Sequence, residues 1–170
     1  GNIYQEHSMY EDALAAYNKS FELAPDYKFN YFNLAIVYSS LENYSKSIEN
    51  YKKFLESYPN HLQARKNLAL TYINANLPQG AISEYEYMLN KDADKFTEWA
   101  NYGRAYFLSG NNKKALEILK STCEKQPENA LAHLYLAQVY RELGEKQNSV
   151  TYYKKALMLD PRFNQAKLDL

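Results

Sequence analysis

Apolar residues along the chain follow the spacing of amphipathic helices rather than the alternation of strands. One stripe has the i, i+3, i+4, i+7 pattern that lies on a single helix face, and it consists of Tyr31, Leu34, Ala35 and Tyr38. A second stripe begins after a short break near residues 42–43, and it consists of Ile48, Tyr51 and Leu55. We therefore predict pairs of antiparallel helices, each pair joined by a tight turn.

Turn-forming residues set the bounds of these helices. Gly110 and Gly144 fall in the breaks between the stripes, where glycine readily ends a helix in the left-handed conformation. Pro78 falls where a helix begins, a position that tolerates a missing amide donor. The predicted helices span 1–7, 10–23, 28–41, 44–57, 62–75, 78–91, 96–109, 112–125, 130–143, 146–159 and 164–170.

The helical pattern itself repeats with a period of 34 residues. Tyrosines mark this period at Tyr4, Tyr38, Tyr72, Tyr106 and Tyr140. Prolines follow it at Pro25, Pro59, Pro127 and Pro161. A fixed period in this range is typical of stacked copies of one supersecondary unit. We predict a single array over 1–170, made of a partial repeat 1–27, repeats 28–61, 62–95, 96–129 and 130–163, and the start of a further helix at 164–170.

The repeat resembles the tetratricopeptide repeat over nearly the whole chain. The fullest match is Trp99-Ala100-Asn101-Tyr102-Gly103-Arg104-Ala105-Tyr106, followed by Ala115, Leu119 and Pro127. The resemblance implies an all-α, right-handed superhelical solenoid of antiparallel helix pairs, in which the first helix of each pair lines a concave groove. It also implies that the tyrosine column packs between helices, with hydroxyls reaching backbone or water.

The same resemblance implies a protein or peptide ligand in the groove. The candidate residues lie on the first helices: Phe29, Phe32, Asn33, Ile36, Lys66, Asn67, Leu70, Ile73, Asn101, Arg104, Phe107, Leu134 and Gln138. Among them Asn33, Asn67 and Asn101 repeat at the 34-residue period. A side-chain amide matches both the N–H and the C=O of a peptide backbone, so such a row favours peptide binding. The alternative is that these amides bond only neighbouring helices or water.

Many of the candidate groove residues are apolar. Exposed together, they would form a patch for a hydrophobic segment or an amphipathic helix. The alternative interpretation is that about half of them pack against the preceding helix pair. The two interpretations differ in which apolar side chains remain exposed.

Charge and residue chemistry narrow the function further. The 20 basic and 20 acidic residues balance, which argues against nucleic acid as a partner, and no apolar run approaches the length of a membrane helix. The three histidines occupy different repeat positions, and the single cysteine, Cys123, shares a core position. We predict no enzyme activity, no cofactor and no metal site.

Two alternatives to groove binding stay open. The apolar residues of the final segment favour end-to-end self-association of chains, and the array could instead be the recognition arm of a larger enzyme. No signal peptide is visible, which slightly favours the cytoplasm, but a leader removed before Gly1 would leave the same sequence.

Overall fold

The computed structural model describes residues 2–24, 26–92 and 97–163, with side chains described from Met9 onward. These residues form α-helices and connecting turns and contain no strand. The helices are α1 (Asn2–Leu23), α2 (Phe29–Ser40), α3 (Tyr44–Ser57), α4 (Leu62–Asn74), α5 (Pro78–Lys91), α6 (Trp99–Leu108), α7 (Asn112–Lys125), α8 (Ala130–Glu142) and α9 (Lys146–Leu159). From α2 onward the predicted helices are confirmed to within a few residues. The predicted helix 164–170 lies outside the described residues.

Each helix pair is joined by a tight turn that contains one residue with positive φ. These residues are spaced 34 apart, at Glu42 (φ 55°), Asn76 (φ 56°), Gly110 (φ 79°) and Gly144 (φ 77°). The two glycines therefore do what the sequence predicted, because glycine adopts this backbone region without a steric penalty. Turns this short return the chain at once, so the two helices of a pair run antiparallel.

The prediction of two helices at the start of the chain is wrong. Helix α1 runs without a break from Asn2 to Leu23, across the predicted gap between 7 and 10. Ser8 and Met9 stand there in place of the left-handed residue and the capping asparagine that divide α2 from α3. Residues 7–10 include no glycine, proline or asparagine, and Ser8 alone does not interrupt the helix.

Side chains cap several of the helices at matching positions of the repeat. Asn43 and Asn111 accept hydrogen bonds from the backbone N–H groups at the starts of α3 and α7, at N···O distances of 3.3 and 3.1 Å. His61 Nδ1 and Asn129 Oδ1 do the same for α4 and α8, at 3.2 and 3.1 Å. Such caps satisfy N–H groups that have no partner within the helix.

The chain divides into two compact units, an N-terminal unit of residues 1–84 and a C-terminal unit of residues 85–170. The N-terminal core is formed by residues of α2, α3 and α4, namely Ala35, Tyr51, Phe54, Leu55, Ala64 and Leu68. The C-terminal core is larger and draws on α6 to α9, including Leu119, Leu136, Ala137, Val139 and Tyr153. Whether the units form one array remains a prediction.

Small residues let the two helices of a pair approach closely. Ser47 and Ser149 occupy the same repeat position, and their hydroxyls donate to the carbonyls of Ala35 and Ala137 at 2.8 and 3.0 Å. At Gly103 a Cβ atom would lie 2.5 Å from Leu119 Cγ, so only glycine fits there without a shift. The all-α fold of antiparallel helix pairs with a 34-residue period is thereby confirmed.

Candidate functional site

The first helices of the N-terminal unit border a shallow depression of about 290 Å³. Helices α2 and α4 supply most of its lining, and α3 supplies one residue from below. The lining residues are Ile36, Ser39, Ser40, Tyr51, Asn67, Leu70, Thr71 and Asn74. Three of them, Ile36, Asn67 and Leu70, were predicted as site residues from the sequence.

An exposed apolar pair lies within this depression. Ile36 is 39% exposed and Leu70 is 36% exposed, and the two occupy the same position in successive repeats. Amide and hydroxyl groups of Asn74 and Ser39 line the same surface. The depression thus combines an apolar contact with groups that can donate and accept hydrogen bonds.

Asn67 is held in place by its neighbours. Gln63 Nε2 donates a hydrogen bond to Asn67 Oδ1 at 2.8 Å. Burial raises the pKa of the Tyr51 hydroxyl to about 12, and a hydrogen bond with the Asn67 side chain acts in the opposite direction. Asn67 thus bonds Gln63 on its own helix and Tyr51 on α3, while a side-chain amide can form further hydrogen bonds to a ligand.

Phe29 and Phe32 belong to an aromatic cluster. Their ring centroids lie 5.1 and 5.2 Å from that of the buried Phe54, and Phe32 lies 5.4 Å from His61. Both rings are half-buried and pack against the N-terminal core. Their contribution is therefore largely to packing, through the edge-to-face and tilted contacts that aromatic rings favour.

The remaining candidates of this unit differ in exposure. Ile73 is only 3% exposed, so its side chain belongs to the interior. Lys66 and Asn33 are half-buried. Within the described part of the chain, the Asn33 side chain has no hydrogen-bond partner, so its amide is available to a ligand.

In the C-terminal unit, Arg104 and Tyr135 pair across α6 and α8. The guanidinium carbon lies 5.2 Å from the centroid of the tyrosine ring, and the Arg104 Nη1 to Tyr135 Oη distance is 3.4 Å. Asn101 Nδ2 donates to Glu98 Oε2 at 3.2 Å. These polar candidates thus have partners within their own unit.

The other candidates of the C-terminal unit are mostly covered. Leu134 is buried in the core, and Phe107 is half-buried against it. Gln138 is half-buried on α8. The alternative interpretation, that several apolar candidates pack internally, therefore describes Leu134 and Phe107.

Sequence reasoning did not single out Thr71 and Asn74, which line the N-terminal depression. Thr71 is buried, and its hydroxyl donates to the Asn67 carbonyl at 2.8 Å. Asn74 stands one period after Ser40, so a polar residue recurs at this position in the two first helices α2 and α4. This recurrence in the sequence could have identified Asn74 as a candidate site residue.

The described residues show few features of metal binding, membrane insertion or thiol chemistry. They contain no group of three or more His, Cys, Asp or Glu side chains placed to hold a metal ion. Among the same residues no helix combines the length and apolar character needed to cross a membrane. Burial raises the pKa of the Cys123 thiol to about 11, which keeps it protonated and unreactive at neutral pH.

Three models of the tetratricopeptide repeat match the chain, over residues 30–61, 96–139 and 130–163. The matched segments fall on the helix pairs described above. The chain belongs to the tetratricopeptide repeat family. Tetratricopeptide repeats are typically non-catalytic scaffolds for protein–protein interaction.

Curated relatives of this tetratricopeptide repeat chain are much longer proteins. The peroxisomal targeting signal 1 receptor of Dictyostelium discoideum is 30% identical over 85 residues, which cover 50% of this chain and 13% of the receptor. Tetratricopeptide repeat protein 14 of Mus musculus is 30% identical over 107 residues, covering 59% of this chain and 14% of that protein. The chain thus matches about one seventh of each relative.

Solved structures share the tetratricopeptide repeat fold. The crystal structure of YrrB, described as a TPR protein with an unusual peptide-binding site, superposes with a TM-score of 0.73 at 19% identity. The match covers 98% of this chain and 86% of YrrB. At this identity the likeness shows the fold alone.

Proposed function

We propose that the chain is a non-catalytic scaffold that binds a peptide or helical segment of a partner protein on the first helices of its repeats. The observation that carries this proposal is the exposed pair Ile36 and Leu70 within a depression edged by polar side chains. The depression is open to solvent, and two adjacent apolar side chains there gain stability when a partner covers them.

The chemistry of the depression fits an apolar anchor with polar neighbours. An aliphatic or aromatic side chain of the partner would lie between Ile36 and Leu70. Asn67 and Asn74 would meet backbone or polar groups on either side of it, since an amide both donates and accepts. Because Asn67 is already held by Gln63, it loses little side-chain entropy on binding.

The name of the Dictyostelium relative supports the same type of function. That protein is a receptor for a targeting signal, and its match covers half of the present chain. For this chain, the ligand is proposed only as a segment with an apolar anchor.

The experiment selects peptides from a random display library against the intact chain and measures their dissociation constants on three variants. Ile36→Ala and Leu70→Ala should each weaken binding about fivefold to tenfold, because each removes apolar contact at the centre of the site. Leu62→Ala is the matched control, since Leu62 is an exposed leucine that lies on the same helix as Leu70 but outside the depression.

Circular dichroism verifies that the variants stay folded, which the exposure of Ile36 and Leu70 leads us to expect. Selected peptides that bind all three variants as tightly as the unmodified chain would contradict the proposed site. Phe32→Ala is a poorer test, because removal of that ring also opens the aromatic cluster.

A further inference from the structure

A second concave surface lies in the C-terminal unit, on the side of the second helices. It is a cleft of about 590 Å³ between α7 and α9, with its floor on α8. Its lining includes Lys120 from α7, His133 and Tyr140 from α8, and Tyr152 and Lys155 from α9. We refer to this surface as the α7–α9 cleft. It shares no residue with the depression between α2 and α4.

The floor of the α7–α9 cleft is aromatic. The Tyr152 ring stacks on His133 with centroids 5.8 Å apart and an interplanar angle of 22°. It also stacks on Tyr140, at 5.5 Å and 21°. His133 and Tyr140 are each only 4% exposed, so the half-buried Tyr152 ring is the part of this floor against which a flat group can pack.

His133 places a hydrogen-bond acceptor in this floor that has no donor. Its Nε2 lies 2.8 Å from the Pro127 carbonyl, which can only accept, so Nε2 carries the proton. Nδ1 is consequently an acceptor. Within the described residues it is buried and has no hydrogen-bond partner, and His133 as a whole is only 4% exposed. A buried polar atom of this kind is stabilised by any ligand that donates to it.

The rim of the cleft is basic. The ammonium group of Lys120 lies 5.5 Å from the centroid of the Tyr140 ring, and that of Lys155 lies 5.2 Å from the centroid of Tyr152. Both lysines are exposed, and Glu124 is the acidic residue of the lining. Two positive charges against one negative charge favour an acidic ligand over a basic one.

We propose that the α7–α9 cleft binds an acidic segment of a partner protein and accommodates one tyrosine of that segment. The tyrosine ring packs on the exposed side of Tyr152, and its hydroxyl donates to His133 Nδ1 when the Tyr152 ring shifts to uncover that atom. Carboxylates on either side of the tyrosine pair with Lys120 and Lys155. A tyrosine fits because it combines a flat apolar ring with a donor at its tip.

The first experiment uses a capped synthetic peptide in which one tyrosine has two glutamates on each side. Isothermal titration at low salt gives its dissociation constant. We expect replacement of the tyrosine by phenylalanine to weaken binding about fivefold, through loss of the hydrogen bond to Nδ1. Replacement of the glutamates by glutamine should weaken binding about tenfold, and added salt should also weaken it.

Substitutions of single lysines test whether the peptide binds in the α7–α9 cleft. Lys120→Gln and Lys155→Gln should each weaken binding of the tyrosine peptide about threefold to fivefold. Lys52→Gln is the control, because Lys52 stands two periods before Lys120 and lies over the ring of Tyr72 in the same manner. It should bind the peptide like the unmodified chain, as should Ile36→Ala, which tests the other surface.

Nitrogen-15 NMR of the intact protein reports on His133 directly, without a substitution that could disturb folding. The Nδ1 resonance should shift when the tyrosine peptide is added and stay in place with the phenylalanine peptide.

Several results would overturn the proposal. They are an absence of peptide binding, equal affinity for the tyrosine and phenylalanine peptides, and an equal loss of affinity in Lys52→Gln and Lys120→Gln. Comparable binding of a single-stranded oligonucleotide would reassign the cleft to phosphate. Self-association of the chain that Lys120→Gln abolishes would reassign it to a second copy.

Discussion

The α7–α9 cleft has a counterpart two periods earlier, and the two regions share much of their chemistry. Arg65 stands at the repeat position of His133, and its Nε donates to the Pro59 carbonyl at 2.8 Å, as His133 Nε2 does to Pro127. In both regions a lysine lies over the tyrosine of the 34-residue column. The backbone and these contacts are thus repeated.

The regions differ in the residue that lies beside Arg65 in one and beside His133 in the other. Glu84 forms an ion pair with Arg65, and the two side chains are only 16% and 13% exposed. The residue two periods after Glu84 is Tyr152, which stacks on His133 and supplies no hydrogen bond to Nδ1 in the described structure. One region therefore satisfies its polar groups internally, and the other leaves an acceptor for a ligand. The repeat sets the positions, and the residues at them decide which surface can bind.

Glu84→Gln tests whether the ion pair between Arg65 and Glu84 stabilises the N-terminal region. We expect the free energy of unfolding to fall by about 2 kcal/mol, because the largely buried Arg65 guanidinium loses its countercharge. Urea denaturation followed by circular dichroism measures the change.

The matched control for this variant is Glu49→Gln, which removes the exposed ion pair with Lys53 and should leave the free energy of unfolding nearly unchanged. An equally small cost for both variants would show that the Arg65–Glu84 pair does not hold the N-terminal region together.

Ser47→Ala and Ser149→Ala test what the two units have in common. Each removes a buried hydrogen bond to a carbonyl of the preceding helix, so each should lower the free energy of unfolding by about 1 kcal/mol. The exposed Ser45→Ala should change it little. If the two substitutions lower the free energy of unfolding by clearly different amounts, the two hydrogen bonds do not contribute equally to stability.

The sequence predicted the helix pairs and their turns well, because those depend on local patterns. Gly110 and Gly144 adopt the positive φ expected of them. The break predicted near Ser8 failed because the period was extended to a segment that contains no glycine, proline or asparagine. Periodicity thus predicts a turn only where the local residues agree with it.

The candidate sites were harder to predict, because exposure depends on packing between helices. Ile36 and Ile73 were predicted together, and the structure exposes the first and buries the second. The α7–α9 cleft was missed altogether. His133 shares its repeat position with Trp99, and whether its Nδ1 atom has a hydrogen-bond partner depends on the side chain at position 152, on the neighbouring helix.

The most direct test of the account transfers the internal partner of the N-terminal region into the cleft. The double variant His133→Arg with Tyr152→Glu should form the ion pair seen between Arg65 and Glu84, fill the cleft and keep a melting temperature near that of the unmodified chain. Isothermal titration should then show at least a tenfold loss of affinity for the acidic tyrosine peptide. Unchanged affinity in a folded double variant would contradict the claim that these two positions decide whether the cleft is open to a ligand.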